Sequence, residues 1–354
     1  MRVADRHIIS IDAMGGDHGP SATVHGVQRA ARRLSGRQVG FILHGDEAAI
    51  RAELARCPEA SAVSSVRHSD LVIAMDEKPA TAMRRGKGSS MWNAIEAVKT
   101  GEASVAVSSG NTGALMAISL LILRMAADLD RPAIVAMWPT LKGAATVLDV
   151  GANVECDAEK LVDFAIMGEA FHRAVHGVKQ PTVGLLNIGS EDQKGHEELK
   201  VAHGLLREGG LPISYHGFVE GDDISRHVVD VVVTDGFTGN VALKTAEGTA
   251  RFLGSEMRSA FGSSLLNKLG SALALDALRK MKHRLDPNTV NGGPLLGLNG
   301  LVVKSHGGSN EKGFANAIMV AADLVQSPFT AEIRANMEKL NLVLQSAPSA
   351  GAAS

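Results

Sequence analysis

The chain has 354 residues, a formal net charge of −2, and 45% hydrophobic, 21% charged and only 3% aromatic residues. Near-neutral charge and few stacking side chains argue against a nucleic-acid partner. No run approaches the eighteen or so apolar residues that span a bilayer, and no signal-peptide pattern precedes the first strand-like run, so a cytoplasmic location is expected.

In chain order, β-branched runs predict strands at His7–Asp12, Val39–His44, Ala62–Val66, Ser104–Val107, Ala133–Trp138, Ala145–Val150, Thr182–Asn187, Ile213–Phe218, Val228–Thr234 and Leu298–Lys304. Helical periodicity falls between them at Ala22–Leu34, Ser89–Thr100, Thr112–Ala127, Ala158–Val175, His196–Glu208 and Val241–Leu253. This alternation predicts an α/β fold whose sheet is mostly parallel and covered on both faces. With no repeat and no low-complexity linker, a single domain over 1–345 is expected, followed by a small, polar, disordered tail at 346–354. The apolar series Phe252, Leu253, Met257, Phe261, Leu265, Leu269 and Leu273, flanked by basic residues and interrupted at Gly262 and Gly270, predicts a helical hairpin near 250–285. Its apolar side suits a dimer or core face, or a membrane-surface patch.

Six strand ends share one chemistry, a polar residue followed by glycine. They are Asp12 before Gly15-Gly16-Asp17, Ser108-Ser109 before Gly110, Asp149 before Gly151, Asn187 before Gly189-Ser190, Asp235 before Gly236, and Ser305-His306 before Gly307-Gly308. In an open parallel sheet such ends line one edge, where ligands bind. Glycine admits close backbone approach, and the helix that follows offers free N–H groups and its positive dipole end, so the expected guest is an anion. The best cases are Ser109-Gly110-Asn111-Thr112-Gly113 and Asp235-Gly236-Phe237-Thr238-Gly239-Asn240. Any one loop is equally an ordinary βα turn; six together favour a site. Neither a P-loop nor GxGxxG at the first turn is present, so nucleotide binding is not supported. Lys194, within Gly189–Gly195, suits a phosphate as a point charge, whereas Arg84, Arg85 and Lys87 suit either a site or a solvated face. Cys57 and Cys156 form no CxxC or Cys/His cluster, and His18 beside Asp17 has no partner at diagnostic spacing. Neither a metal, a cofactor nor a covalent nucleophile is expected.

Ile11-Asp-Ala-Met-Gly-Gly-Asp-His-Gly-Pro20 resembles the opening motif of the bacterial phosphate acyltransferases of phospholipid synthesis. The likeness continues in family order through Ser108–Leu115, Leu148–Asn153, Gly184–Ser190 with Lys194-Gly195, and Asp235–Val241. The resemblance implies a Rossmann-like three-layer α/β/α sandwich, similar to phosphotransacetylases and isocitrate/isopropylmalate dehydrogenases. It also implies a homodimer, peripheral membrane contact, and transfer of a long-chain acyl group from acyl carrier protein to inorganic phosphate. The acyl phosphate would then serve a membrane glycerol-3-phosphate acyltransferase. On this reading Lys194 and Asn240, with N–H groups at Gly110–Thr112 and Gly239, hold phosphate and the developing oxyanion. Asp12, Asp149 and Asp235 orient these donors, and Asn153 and Asn187 complete the polar floor. A short-chain, coenzyme A-dependent phosphotransacetylase and a non-catalytic carrier-binding regulator are the alternatives.

Overall fold

A computed structural model describes residues 7–126, 129–211, 213–264, 266–267, 270, 273–286 and 291–327. The tail at 346–354 and the basic start at 1–6 lie outside the described residues. Strands and helices alternate: β1 His7–Asp12, α1 Gly19–Arg33, β2 Val39–Gly45, α2 Glu47–Leu54, α3 Pro58–Val63, β3 Ser64–His68, α4 Pro79–Arg85, α5 Ser90–Lys99, β4 Val105–Ser108 and α6 Thr112–Leu123. Next come β5 Ala133–Ile134, β6 Ala136–Thr140, β7 Gly143–Leu148, α7 Ala158–His176, β8 Thr182–Leu186, α8 Glu197–Glu208, β9 Ser214–Val219, α9 Gly221–Arg226 and β10 Val231–Val233. The described elements close with α10 Gly236–Gly262, α11 Leu275–Leu285, β11 Gly293–Leu296, β12 Leu301–Lys304 and α12 Glu311–Gln326.

The strands form two sheets, not one continuous edge as the sequence suggested. A seven-stranded sheet runs β3-β2-β1-β4-β12-β11-β5 and a five-stranded sheet runs β6-β7-β10-β8-β9. All described pairings are parallel except β11 with β12, β11 with β5, and β6 with β7. The expected strand Ala133–Trp138 is divided at Val135. Its first two residues finish the large sheet and the rest opens the small one. Pro139 explains why the second part is an edge strand, since proline has no N–H to give to a further neighbour. Another shift is at Ala62–Val63, which close a helix begun by Pro58 in its first turn, so β3 starts at Ser64.

Both sheets feed the same two cores. Val231 and Val233 of β10 pack with Ile9, Ile11, Phe164, Phe171 and Phe314, while Val232 between them joins Ile95, Ile118, Trp138 and Val147 on the opposite face. That period of two in a strand buried on both faces yields three layers, helix over sheet over helix. α10 begins at Gly236, five residues before the expected start, because the Asp235 carboxylate caps it by accepting from Thr238 N. Further along, Phe252 is 62% exposed and Leu253 50%, which excludes the core-face reading for these residues; Leu265 and Leu269 lie outside the described residues. Among the described residues no helix is long and apolar enough to cross a membrane.

Candidate active site

Strand register sets the first half of the site. Asp12 of β1 and Lys304 of β12 both pair with Ser108 of β4, so the three side chains stand at one level where parallel strands end. Ser108 Oγ donates to Asp12 Oδ2 at 2.6 Å and accepts from Gly110 N–H at 3.0 Å, a relay that orients the turn into α6. Burial pushes the Asp12 carboxyl up from its ordinary value, opposed by hydrogen bonds from Ser108, Ser90, Met14 N–H and Gly15 N–H. A Cβ on Gly15 would stand 2.6 Å from Gly110 N, so glycine is required for the two loops to touch. Gly16 combines a φ of +85° with the same crowding against Gly307 O and Ser109 Oγ. Ser109 Oγ donates to Gly15 O at 2.9 Å and Asp17 N–H to Gly307 O at 3.0 Å, which binds the loops after β1, β4 and β12 into one cradle.

Lys304 lies beneath that cradle. Its Nζ donates to Ser109 O at 3.3 Å and to Ser305 O. Burial lowers its pKa to about 8, with Asp12 and Asp17 opposing the shift and Lys244 adding to it.

The small sheet supplies the second half. Asp149 accepts from Ile134, Gly151, Ala152 and Asn153 N–H groups and from Asn153 Nδ2 at 2.9 Å. A carboxylate so occupied braces the seam between the sheets instead of facing a substrate. Gly236 N–H donates to Asn153 O at 2.6 Å, and Gly239 packs so closely on Asp149 O that a Cβ there would stand 2.0 Å away. Asp235 also accepts the Thr238 hydroxyl at 2.8 Å. Asn240, exposed one turn into α10, is beside Gly151, and its side chain makes no hydrogen bond among the described residues. Asn187 donates to Lys194 O at 3.1 Å and accepts from Ile188 N–H, closing the loop that carries Gly189, exposed Ser190 and Lys194. The Lys194 ammonium is half-exposed and 3.9 Å from Glu191 Oε1. β8 and β10 are parallel neighbours, so the Lys194 loop and the Asp235–Asn240 turn leave the same sheet edge.

The two halves meet where Lys244 Nζ of α10 reaches His306 Nε2, at 3.1 Å, in the loop after β12. Asn240 and Lys244, four residues apart, share a helix face. Among the sequence candidates the structure joins Asp12, Gly15, Gly16, Asp17, Ser109 and Gly110, and separately Asp149, Gly151, Asn153, Asp235, Gly236, Thr238, Gly239 and Asn240. It ties Asn111 elsewhere: the side chain caps α6 and donates to Met75 O and Glu77 O, at 2.8 and 2.9 Å, while Thr112 beside it is exposed. No hydrogen bond joins Lys194 to Asn240 among the described residues. Lys304 and Lys244 were missed; the legible signals were a lysine closing a strand of valines and a lysine one turn beyond Asn240. Cys156 is half-buried and its thiol is pushed up to about 12 by burial, then by Asp149 and Asp235, so no thiolate is available there.

A family model described as fatty acid synthesis protein matches residues 7–332. The chain is 67% identical over 333 residues to the phosphate acyltransferase of Caulobacter vibrioides, covering 94% of this chain and 92% of that one. It is 61% identical over 349 residues to the phosphate acyltransferase of Phenylobacterium zucineum, covering 98% and 99%. Among solved structures it is similar to a phosphotransacetylase from Streptococcus pyogenes, with TM-score 0.56, 17% identity and coverage of 91% and 94%. The EutD phosphotransacetylase from Staphylococcus aureus gives TM-score 0.55, 15% identity and coverage of 90% and 94%. At those identities the structural likeness is one of fold.

Proposed function

The chain belongs to the fatty acid synthesis protein family and is an acyltransferase, and on that premise we propose that it transfers a long-chain acyl group reversibly from the thioester of acyl carrier protein to inorganic phosphate. The observation that carries this reading is one mouth where a glycine-backbone cradle meets Lys304, Lys244 and the free amide of Asn240, while the cysteine nearest to it is held as a thiol. Phosphate is itself a competent nucleophile toward a thioester, so an enzyme need only hold it in line and stabilise the tetrahedral oxyanion. A phosphate oxygen attacks the thioester carbonyl, the C–S bond breaks, and the carrier thiol leaves with a free pKa of about 8.5, which makes a strong general acid dispensable. Lys194, on a half-exposed four-carbon stem, and Asn240 contact the reacting atoms. Asp12 and Asp235 position the loops, the first through Ser108 and the second by capping α10.

Arg84, Arg85 and Lys87 are exposed on α4 and the turn after it, matching an acidic carrier. Exposed Leu71, Val72 and Met75, the last against Gly307, offer a track for an acyl chain. The apolar row on α10 supports a homodimer and a peripheral membrane contact from which acyl phosphate passes to a membrane glycerol-3-phosphate acyltransferase. The test is thiol release from acyl carrier protein loaded with a long acyl chain, with and without phosphate. Release that requires both is expected. Turnover of acetyl-CoA with the acyl carrier left inert would replace this reading with the short-chain one.

A further inference from the structure

Two donors, one in the loop after β12 and one on α10, face a single imidazole, and we infer from this a phosphate oxyanion subsite formed by His306 and Lys244. The inference rests on the reading that inorganic phosphate is the acyl acceptor. His306 Nδ1 lies 3.2 Å from Gly308 N–H, and its Nε2 lies 3.1 Å from Lys244 Nζ. A neutral imidazole has one acceptor nitrogen and one N–H, so whichever tautomer forms, an N–H is left facing another donor. With Nδ1 engaged by Gly308, the hydrogen sits on Nε2 and points, as the ammonium does, at a place only an acceptor satisfies. An anionic oxygen there takes both hydrogen bonds.

The ring is held for this task. His306 N–H donates to Asn291 Oδ1, and Asn291 Nδ2 in turn donates to Ser305 Oγ, Ser309 Oγ and Gly313 O, so the loop is braced from within. Lys244 keeps Glu247 at 3.0 Å as its other partner, and Arg251, 3.8 Å from the same carboxylate, offsets part of that negative charge. Lys304 adds a second ammonium within electrostatic reach of Lys244. Two ammoniums beside an imidazole N–H match a phosphate dianion. The cradle joined to this loop through Asp17 and Gly307 places the subsite at the mouth described above.

A phosphate oxyanion has two sources, free inorganic phosphate and the phosphodiester of a carrier's prosthetic arm, and the subsite is assigned to the first. The experiment titrates potassium phosphate into the full chain by calorimetry, and measures phosphate and acyl-carrier KM values in thiol release, for wild type, Lys244→Ala, Lys244→Arg and His306→Ala. Each alanine variant is expected to weaken phosphate binding about tenfold, the scale of one charge-assisted hydrogen bond. Its phosphate KM rises in step, its acyl-carrier KM stays within about twofold, and Lys244→Arg recovers most of the loss. Unchanged phosphate affinity in Lys244→Ala overturns the subsite, as does a rise confined to the acyl-carrier KM, which would assign it to the carrier's diester. Should His306→Ala lose its folded circular dichroism, Lys244→Ala alone decides. Should wild type release no thiol, the reaction reading fails while calorimetry still decides the subsite.

Discussion

Asn240 and Lys194 are candidates whose polar ends the fold holds loosely or not at all, the amide without a partner among the described residues and the ammonium half-exposed with Glu191 at 3.9 Å. On the proposed reaction, removing either donor removes something the chemistry uses and the fold does not. Lys194→Ala and Asn240→Ala are therefore each expected to lower phosphate-dependent thiol release by about a hundredfold, the scale of one oxyanion donor. Their melting temperatures should stay near wild type. Cys156→Ala should turn over like wild type, because a thiol pushed up to about 12 is neither nucleophile nor base at neutral pH. Wild-type rates in either donor variant, or an inactive Cys156→Ala, would contradict these roles. Lys304 has a different signature: its pKa is lowered to about 8 by burial, so its positive charge is lost as pH rises through that value. The phosphate KM should climb above pH 8, and Lys304→Met should raise it at pH 7 and flatten the climb. A wild-type phosphate KM constant from pH 7 to 9.5 would show that the charge is not felt at the site.

Helix α7 is the central buried helix of the first core, with Phe164, Ala165, Met167 and Phe171 facing inward. Asp163 within it is raised to about 7, first by burial and then by Glu159, Asp130 and Asp157. The native chain keeps this carboxyl protonated between its ordinary value of 3.8 and about 7, whereas the unfolded chain ionises it, so its contribution to stability is present below pH 4 and lost as pH rises to 7. Asp163→Asn should accordingly raise Tm by a few degrees at pH 8, with the difference closing near pH 4; thermal melts at both values test it, and an equal Tm at pH 8 would refute it. Helices of this length were readable from periodicity. The short α2, α3 and α9 were not, because six to eight residues complete too few turns to show a period of 3.6. α12 was overlooked too, although Asn310 caps it by accepting from Lys312 and Gly313 N–H.

At the scale of the molecule the two sheets and α10 decide how the site is assembled. α10 starts on the small sheet at Asp235, sets Asn240 beside that sheet's Gly151 and Lys244 against the large sheet's loop at His306, and then carries Phe252 and Leu253 into solvent. One helix thus links the mouth to an uncovered apolar surface. Phe252→Glu with Leu253→Glu should abolish flotation with phosphatidylglycerol vesicles and leave thiol release from soluble acyl carrier unchanged. Flotation equal to wild type would remove the membrane role, and a shift from dimer to monomer in sedimentation would assign the surface to self-association.

The strand-end glycines and the motifs at Ile11–Pro20 and Asp235–Asn240 were legible in sequence because each answers a local requirement, a positive φ or a close backbone approach; that Asp235 caps a helix starting at Gly236 was not. Continuous β-branched runs, alternating with helical stretches, likewise announced strands covered on both faces. What remained hidden depends on residues far apart in the chain. Nothing local to Asn111 says that its amide is spent on Met75 and Glu77, and nothing at Val135 says that one apolar run serves two sheets. Lys304 with Ser109, and Lys244 with His306, are brought together across 195 and 62 residues by sheet register and by the path of a single helix. Those pairings place charge at the mouth, and charge acts through distance in space, which only the tertiary structure decides.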